Sequence, residues 1–303
     1  MPFLVVMTTW RQNDAEVKRE RAAPEIFPPG TGPAPDTAWR EVPVNGGPVG
    51  VPREPRRAPR SWAAAPATYL LVGINVAVFL LMVLNGVSPT SLPTSRELLQ
   101  WGATQHDVVL FGGEWWRLIT ATFVHIGIIH LATNMWCLWN LGLLGEPLLG
   151  ASGMIAVYLL TGVAGNLLSV AIGSPHSVSA GASGAVFGLA GVLIVLLKSK
   201  YLPVPPSELK GLRRSVIYFA VLNFAIGAGT LFLPSSVPKI DNMAHLGGFL
   251  LGLAVGVPLV PKIGAGRDRY RRRQTLVFGG MLILLLTLGY GVASYYGVSF
   301  LGL

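Results

Sequence analysis

The stretch PLLGASGMIAVYLLTGVAGNLLSVAIGSPHSVSAGASGAVFGLAGVLIVLL, residues 147–197, decides the fold. It holds 51 residues without one Asp, Glu, Lys or Arg. As a single α-helix it would be about 77 Å long, whereas crossing a hydrocarbon core of about 30 Å takes about 20 residues. The stretch must therefore turn back on itself, and its one cluster of turn-forming residues is 173–177, Gly-Ser-Pro-His-Ser. We predict two membrane helices here, at 150–172 and 181–198.

Five more windows lack all four charged residue types, and each is long enough for a membrane helix: 61–95, 118–145, 215–238, 242–261 and 274–303. Charged residues make up 12% of the 303-residue chain, about half the share of a soluble globular protein, which argues against a soluble enzyme. We therefore expect an all-α polytopic membrane protein embedded in a lipid bilayer. Its seven predicted spans are 66–86, 120–144, 150–172, 181–198, 214–233, 242–260 and 275–296.

The net charge of +9 reflects topology rather than a nucleic-acid partner, which we do not expect. Of 23 Lys and Arg residues, nine lie in 1–60, five in 198–214 and six in 262–273. The positive-inside rule places these three segments in the cytoplasm, and the helix count agrees, because four spans and then two separate them. We expect a multi-pass protein of the inner membrane of a bacterium, with its N-terminus cytoplasmic and its C-terminus outside.

The chain divides into three parts. Residues 1–60 contain 11 of the 23 prolines and show no apolar periodicity, so we predict a disordered cytoplasmic tail. Residues 61–262 hold the first six spans, and 263–303 a basic cytoplasmic loop and the seventh span. The external loop from about 87 to 118, which carries Trp116 and Arg117, is too long to be a simple connector.

Five polar side chains stand out in the predicted spans: His125, His130, Asn134, Ser183 and His245. Each of these residues alone is more typical of helix packing, but three of them are predicted to lie at the same depth in the membrane. Ser183, His245 and His130 lie 15, 17 and 16 residues before the charged residue that closes their window, which places all three roughly 22 to 26 Å above the inner boundary. Asn134, four residues after His130, shares its face, whereas His125 points about 140° away. One layer near the outer surface thus collects a serine, two histidines and an amide.

These residue types suit acyl hydrolysis. A serine hydroxyl needs a base to become a nucleophile, and neutral histidine is the commonest one, so Ser183 and His245 are candidates for nucleophile and base. The Asn134 amide, a His130 ring nitrogen and the Ser183 backbone N–H are candidate oxyanion donors, and Gly181 would let a substrate backbone approach. Asp241 is predicted to cap the sixth span rather than complete a triad. We expect no metal or other cofactor.

The sequence resembles the rhomboid family of intramembrane serine proteases. The resemblance is carried by Trp116-Arg117, the His125, His130, Asn134 series, Gly181-Ala182-Ser183-Gly184, and Ala244-His245-Leu246-Gly247-Gly248 with Gly252. It implies a six-helix core, with the seventh helix outside it. It also implies a Ser183–His245 dyad, an oxyanion hole lined by His130 and Asn134, a structural His125, and lateral substrate entry gated by the fifth helix and its loop. Where the family often has tyrosine, four residues after the serine, this chain has Phe187.

The resulting interpretation is a serine endopeptidase that cleaves single-span membrane proteins near the outer surface. A non-catalytic rhomboid-like binder or chaperone is the alternative, disfavoured because Ser183 and His245 are both present. A proton-coupled transporter is disfavoured, because it would be expected to use an intramembrane carboxylate and the predicted spans contain none. A zinc hydrolase is disfavoured because His125 and His130 are predicted to face apart and no His-Glu-x-x-His motif occurs.

Overall fold

The computed structural model describes residues 65–199, 201–202, 204–234, 239–260 and 266–301. The predicted tail, 1–60, lies outside these ranges. The helices are α1 Pro66–Leu84, α2 Ser95–Gln100, α3 His106–Leu110, α4 Arg117–Thr120, α5 Ile128–Ile172, α6 Ser183–Leu196, α7 Pro206–Thr230, α8 Asn242–Leu259 and α9 Arg267–Tyr295, with a 3₁₀ turn at Ala121–Phe123. Two short strands, β1 Thr104–Gln105 and β2 Val178–Ser179, pair antiparallel with Thr104 opposite Ser179. Apart from that pair, the described elements are helical, as predicted.

Four helices in the described ranges are long and apolar enough to cross a membrane: α1, α5, α8 and the part of α9 from Asp268 to Tyr295. The 14-residue α6 is apolar but shorter. Many of the side chains exposed along these helices are leucine, isoleucine and valine, as expected where lipid is the solvent. The chain is an integral membrane protein.

The helix α5 covers two of the predicted spans. Gly150 has φ 73° and ψ 165°, outside the helical region, so α5 consists of two helical segments, 128–149 and 151–172, joined without a loop. A residue other than glycine would be strained at this φ. The predicted separation of the second and third spans near residue 145–149 is therefore wrong, since the first segment continues to the glycine.

Other helix ends also differ from the prediction. The second span does not start at 120: α4 and the 3₁₀ turn occupy 117–123, and α5 begins only after Gly127, whose φ of 134° breaks the helical path. In contrast, α7 and α9 begin earlier than predicted, at 206 and 267 rather than 214 and 275. Charge-free windows mark the lipid-embedded part of a helix, and both helices extend past it into polar sequence.

Glycines bring α6 and α8 into backbone contact. A Cβ added to Gly248 would lie 2.8 Å from the carbonyl carbon of Gly184, and one added to Gly252 would lie 2.7 Å from that of Gly188; both would be closer still to the carbonyl oxygen. One helical turn separates the two contacts on each helix. Small residues allow such close approach between membrane helices, and dispersion contacts then stabilise the pair. This contact fixes the N-terminal end of α6 against α8.

A buried carboxylate holds the start of α1. Glu146, 3% exposed, accepts hydrogen bonds from the backbone N–H groups of Ala67 and Thr68 at 2.9 and 2.7 Å and from the Thr68 hydroxyl at 2.7 Å. The first N–H groups of a helix have no partner within it, and the N-terminal end of the helix dipole favours a negative charge. Glu146 thus supplies from α5 the cap that α1 lacks in its own sequence.

Candidate active site

A cavity of about 480 Å³ lies among α5, α6, α7 and α8. Six of the nine predicted site residues line it: His130, Asn134, Gly181, Ser183, Phe187 and His245. The loops that precede α5, α6 and α8 complete the wall with Ile126, Ala180 and Asp241 among others. The lining is mostly apolar, with a few polar side chains that include Ser183, which is the usual make-up of a binding site.

Ser183 is the first residue of α6 and is half-buried. The chain reaches it through Gly181, whose φ of 135° is open to glycine and strained for other residues. The Gly181 N–H donates to the carbonyl of Ala121 at 2.9 Å, which ties this turn to the 3₁₀ segment. Because the first N–H groups of a helix have no intrahelical acceptor, the Ser183 amide is available to a ligand in the cavity.

His245 lies in the first turn of α8 and is 6% exposed. Its Nδ1 is buried without a hydrogen-bond partner among the residues that the structure describes. The Asp241 carboxylate is engaged elsewhere: one oxygen accepts from the Met243 and Ala244 N–H groups at 3.0 and 2.9 Å, and the other from the Ser169 hydroxyl. The prediction that Asp241 caps this helix is confirmed. Among the residues that the structure describes, the Asp241 carboxylate makes no hydrogen bond to the His245 imidazole.

Aromatic rings surround the His245 imidazole. The Phe187 ring stacks on it with centroids 4.2 Å apart and an angle of 17° between the planes. Phe224 of α7 packs edge-on against Phe187 at 4.6 Å and lies 6.2 Å from the imidazole. The imidazole is therefore oriented by packing against rings from two neighbouring helices.

The His130 ring lies against Gly181. A Cβ added to Gly181 would be 2.7 Å from Cε1 and 3.1 Å from Nε2 of that ring. His130 Nδ1 accepts a hydrogen bond from the Ile126 N–H at 3.3 Å, so in the neutral ring the proton is on Nε2. The Nε2 atom is consequently an N–H donor, and it lies beside Gly181, two residues before Ser183. The Asn134 Nδ2 group donates to the His130 carbonyl at 2.9 Å.

His125 is not where helical geometry predicted it. The residue precedes Gly127 and α5, so the rotation of 100° per residue does not apply to it. Its ring is fully buried, 5.2 Å from the His130 ring, with Nδ1 3.2 Å from the Phe123 carbonyl. The prediction that the two histidines face apart is wrong: they are neighbours, and His125 stands behind His130 outside the cavity lining.

Trp116 and Arg117 are likewise outside the cavity lining. The Arg117 guanidinium pairs with the Glu114 carboxylate at 2.8 and 2.9 Å and donates to the carbonyls of Leu99 and Ala103. Its Cζ lies 4.6 Å from the centroid of the exposed Trp116 ring. This buried arginine joins three parts of the external loop, so both residues act on the shape of that loop.

The resemblance implied a gating role for the fifth helix, α7, but sequence reasoning named none of its residues. Phe219 and Asn223, one helical turn apart, both line the cavity, and Phe224 reaches Phe187. An asparagine in an otherwise apolar span was a usable signal, since polar groups in lipid call for a partner or a role. In the described part of the chain, no group of three or more His, Cys, Asp or Glu side chains is placed to hold a metal ion.

Comparison with known proteins gives the family. A rhomboid domain model matches residues 112–262. The chain is 32% identical to the rhomboid protease GluP of Bacillus subtilis over 232 residues, 76% of this chain and 40% of that protein. It is 36% identical to the mitochondrial RHOMBOID-like protein 6 of Arabidopsis thaliana over 179 residues, 59% of this chain and 55% of that protein. For Rhomboid-like protease 2 of Toxoplasma gondii the identity is 30% over 186 residues, 61% of this chain and 62% of that protein. The match therefore spans about half the length of these relatives, and the chain belongs to the rhomboid family.

Proposed function

We propose that the protein is an intramembrane serine endopeptidase in which Ser183 and His245 form the catalytic dyad. The observation that carries the proposal is the shared cavity: the hydroxyl at the start of α6 and an imidazole stacked on Phe187 line the same space. The similarity to proteins named rhomboid proteases supports the same activity.

In the proposed reaction, His245 takes the proton of the Ser183 hydroxyl while the serine oxygen attacks the carbonyl carbon of the scissile peptide bond. The protonated imidazole then gives that proton to the leaving amine, which releases the first product and leaves an acyl group on Ser183. Water, deprotonated by His245, hydrolyses the ester and restores the hydroxyl.

Three donors are available for the oxyanion that forms at each step. They are the His130 Nε2–H beside Gly181, the second N–H of the Asn134 amide, and the backbone N–H of Ser183. Removing one such donor typically lowers kcat by about 10² to 10³. His125 would act behind this group by packing on His130.

The proposed substrates are single-span membrane proteins cleaved near the outer surface, after local unwinding that exposes the scissile amide. In the proposed topology the six-helix core, 61–262, and the seventh helix span the inner membrane of a bacterium, with the N-terminus cytoplasmic and the C-terminus outside. The fifth span, α7, and the loop after it would gate entry, which is supported by the position of Phe219 and Asn223 in the cavity wall.

The test is proteolysis in liposomes with purified protein and a generic single-span substrate. Ser183→Ala and His245→Ala should each abolish cleavage, and the double variant should be no worse, because the two residues act as a unit. Ser215→Ala is the matched control, since that hydroxyl bonds to the Gly211 carbonyl on α7 outside the cavity lining. A fluorophosphonate should label Ser183. Cleavage by Ser183→Ala at the wild-type rate would refute the proposed dyad, and absence of product from both proteins would favour a non-catalytic binder.

A further inference from the structure

The helix α9 lies beyond the region that matches the rhomboid domain, 112–262. It is nevertheless joined to the other helices by hydrogen bonds of one kind, from its side chains to their backbone carbonyls. Four side chains on α9 or at its end donate hydrogen bonds to backbone carbonyls of other elements: Tyr270, Arg273, Gln274 and Tyr296. Each acceptor is at the C-terminal end of a helical segment. Such carbonyls have no partner within their own helix.

Two of these bonds serve the break in α5. Gly150 leaves the helical path, so the carbonyls just before it lack the backbone N–H donors that a continuous helix would provide. Gln274 Nε2 donates to the Leu149 carbonyl at 2.7 Å, and the Tyr270 hydroxyl donates to that of Leu148 at 3.1 Å. Gln274 is 6% exposed, and Gly153 makes room for it: a Cβ there would lie 2.7 Å from Nε2.

The other two bonds serve the ends of α8 and α5. Arg273 donates to the carbonyl of Val260, the residue that follows α8, at 3.0 Å, where the negative end of the helix dipole also favours a cation. The Tyr296 hydroxyl donates to the carbonyl of Ala171 at 3.0 Å, one residue before α5 ends. The Tyr296 ring packs on that of His106, whose Nδ1 lies 2.6 Å from the next carbonyl towards the N-terminus, that of Val170.

Two of the clamped segments, α8 and 151–172, hold the proposed base. The third, 128–149, carries His130 and Asn134 of the proposed oxyanion hole. Segment 151–172 touches α8 where a Cβ on Gly165 would lie 3.2 Å from the carbonyl carbon of Ala244, the residue before His245. An unpaired carbonyl is costly in lipid, so loss of a donor on α9 should let the end of its partner segment shift or fray. A shift there moves the imidazole relative to Ser183.

We infer that α9 is a clamp on the catalytic bundle and that Gln274 and Tyr296 are positioning residues. Gln274 would act through the segment that carries His130 and Asn134, and Tyr296 through the segment that contacts α8 beside His245. The inference rests on the proposed function for its effect on catalysis, whereas its effect on stability does not depend on that function. The family resemblance assigned no role to this helix.

The test compares adjacent tyrosines in the full chain. Tyr296→Phe removes one hydroxyl and keeps the ring, and Tyr295→Phe makes the same change at a side chain that is 82% exposed. We expect Tyr296→Phe and Gln274→Met each to lower the melting temperature in detergent by about 2 to 4 °C. Their kcat on the single-span substrate should fall by about two- to tenfold with KM unchanged. Tyr295→Phe should match wild type in all three measurements.

A second pair tests the contact from the side of α5. Gly153→Ala should lower the melting temperature in the wild type, because its Cβ displaces the Gln274 amide. The same change should lower it less when combined with Gln274→Ala, because only the Cβ of Leu149, at 3.2 Å, then remains in close contact. Two results would overturn the clamp: Tyr296→Phe and Gln274→Met melting like Tyr295→Phe, or a lowered melting temperature with unchanged kcat, which would leave no positioning role. Should Ser183→Ala retain activity, the proposed function fails while the expected melting shifts still hold.

Discussion

Gly248→Ala should separate the two helices that carry the proposed dyad. Gly248 is three residues after His245, and its Cα faces the carbonyl of Gly184, the residue after Ser183. The new Cβ would lie 2.8 Å from that carbonyl carbon and closer to its oxygen. Both partners are backbone, so no flexible side chain can yield, and α8 must move by about 1 Å to restore normal contact. Overpacking of this kind typically costs about 1 to 3 kcal/mol.

The effect on turnover should exceed the effect on stability, because a displacement of about 1 Å in a catalytic group can lower the rate by about 10². The measurements are kcat on a single-span substrate in liposomes and the melting temperature of the same preparation. Gly280→Ala is the matched control, since a Cβ on this α9 glycine meets nothing within 4 Å; it should keep full activity. A folded Gly248→Ala protein with wild-type kcat would refute the reasoning that this contact sets the distance between the dyad residues.

Three other changes test single contacts. Phe187→Ala should free the stacked imidazole and lower kcat sharply, with a loss of about 3 to 5 kcal/mol of stability, whereas Phe187→Tyr should be nearly neutral in both activity and melting assays. Asn134→Ala should lower kcat by about 10² without abolishing cleavage, because the His130 and backbone donors remain; unchanged kcat would make it a packing residue. Glu146→Ala leaves three donors at the start of α1 unpaired and should cost more than about 3 kcal/mol in urea or thermal unfolding. Glu146→Gln, which keeps an acceptor oxygen, should lose less.

The lipid-embedded helices could be predicted from sequence because hydrocarbon excludes charge so strongly. The predicted span 242–260 is α8 to within one residue, and 181–198 contains α6. The same rule fails at helix ends outside the lipid, where α7 and α9 run on through basic sequence. It also places the break between the second and third spans at 145–149 rather than at Gly150, because a glycine with helical neighbours has no distinct hydrophobic pattern.

The cavity was predictable only in part. Equal depth along three helices selected Ser183, His245 and His130, which all line it. The angle assigned to His125 was wrong because an undetected glycine turn separates it from α5. The packing of Phe224 on Phe187 depends on which helices are neighbours, and that information is absent from the periodicity of any one helix.

The Glu146 cap has a consequence for biosynthesis. Ala67 precedes its acceptor by 79 residues, so α1 leaves the ribosome long before the carboxylate that completes it. Until then its first amides need interfacial water, which confines the end of α1 to the membrane surface. Arrival of the second hydrophobic segment replaces that water with a carboxylate and draws the helix end into the bundle. We therefore expect α1 to reach its final depth only after its neighbour has been inserted in the correct orientation.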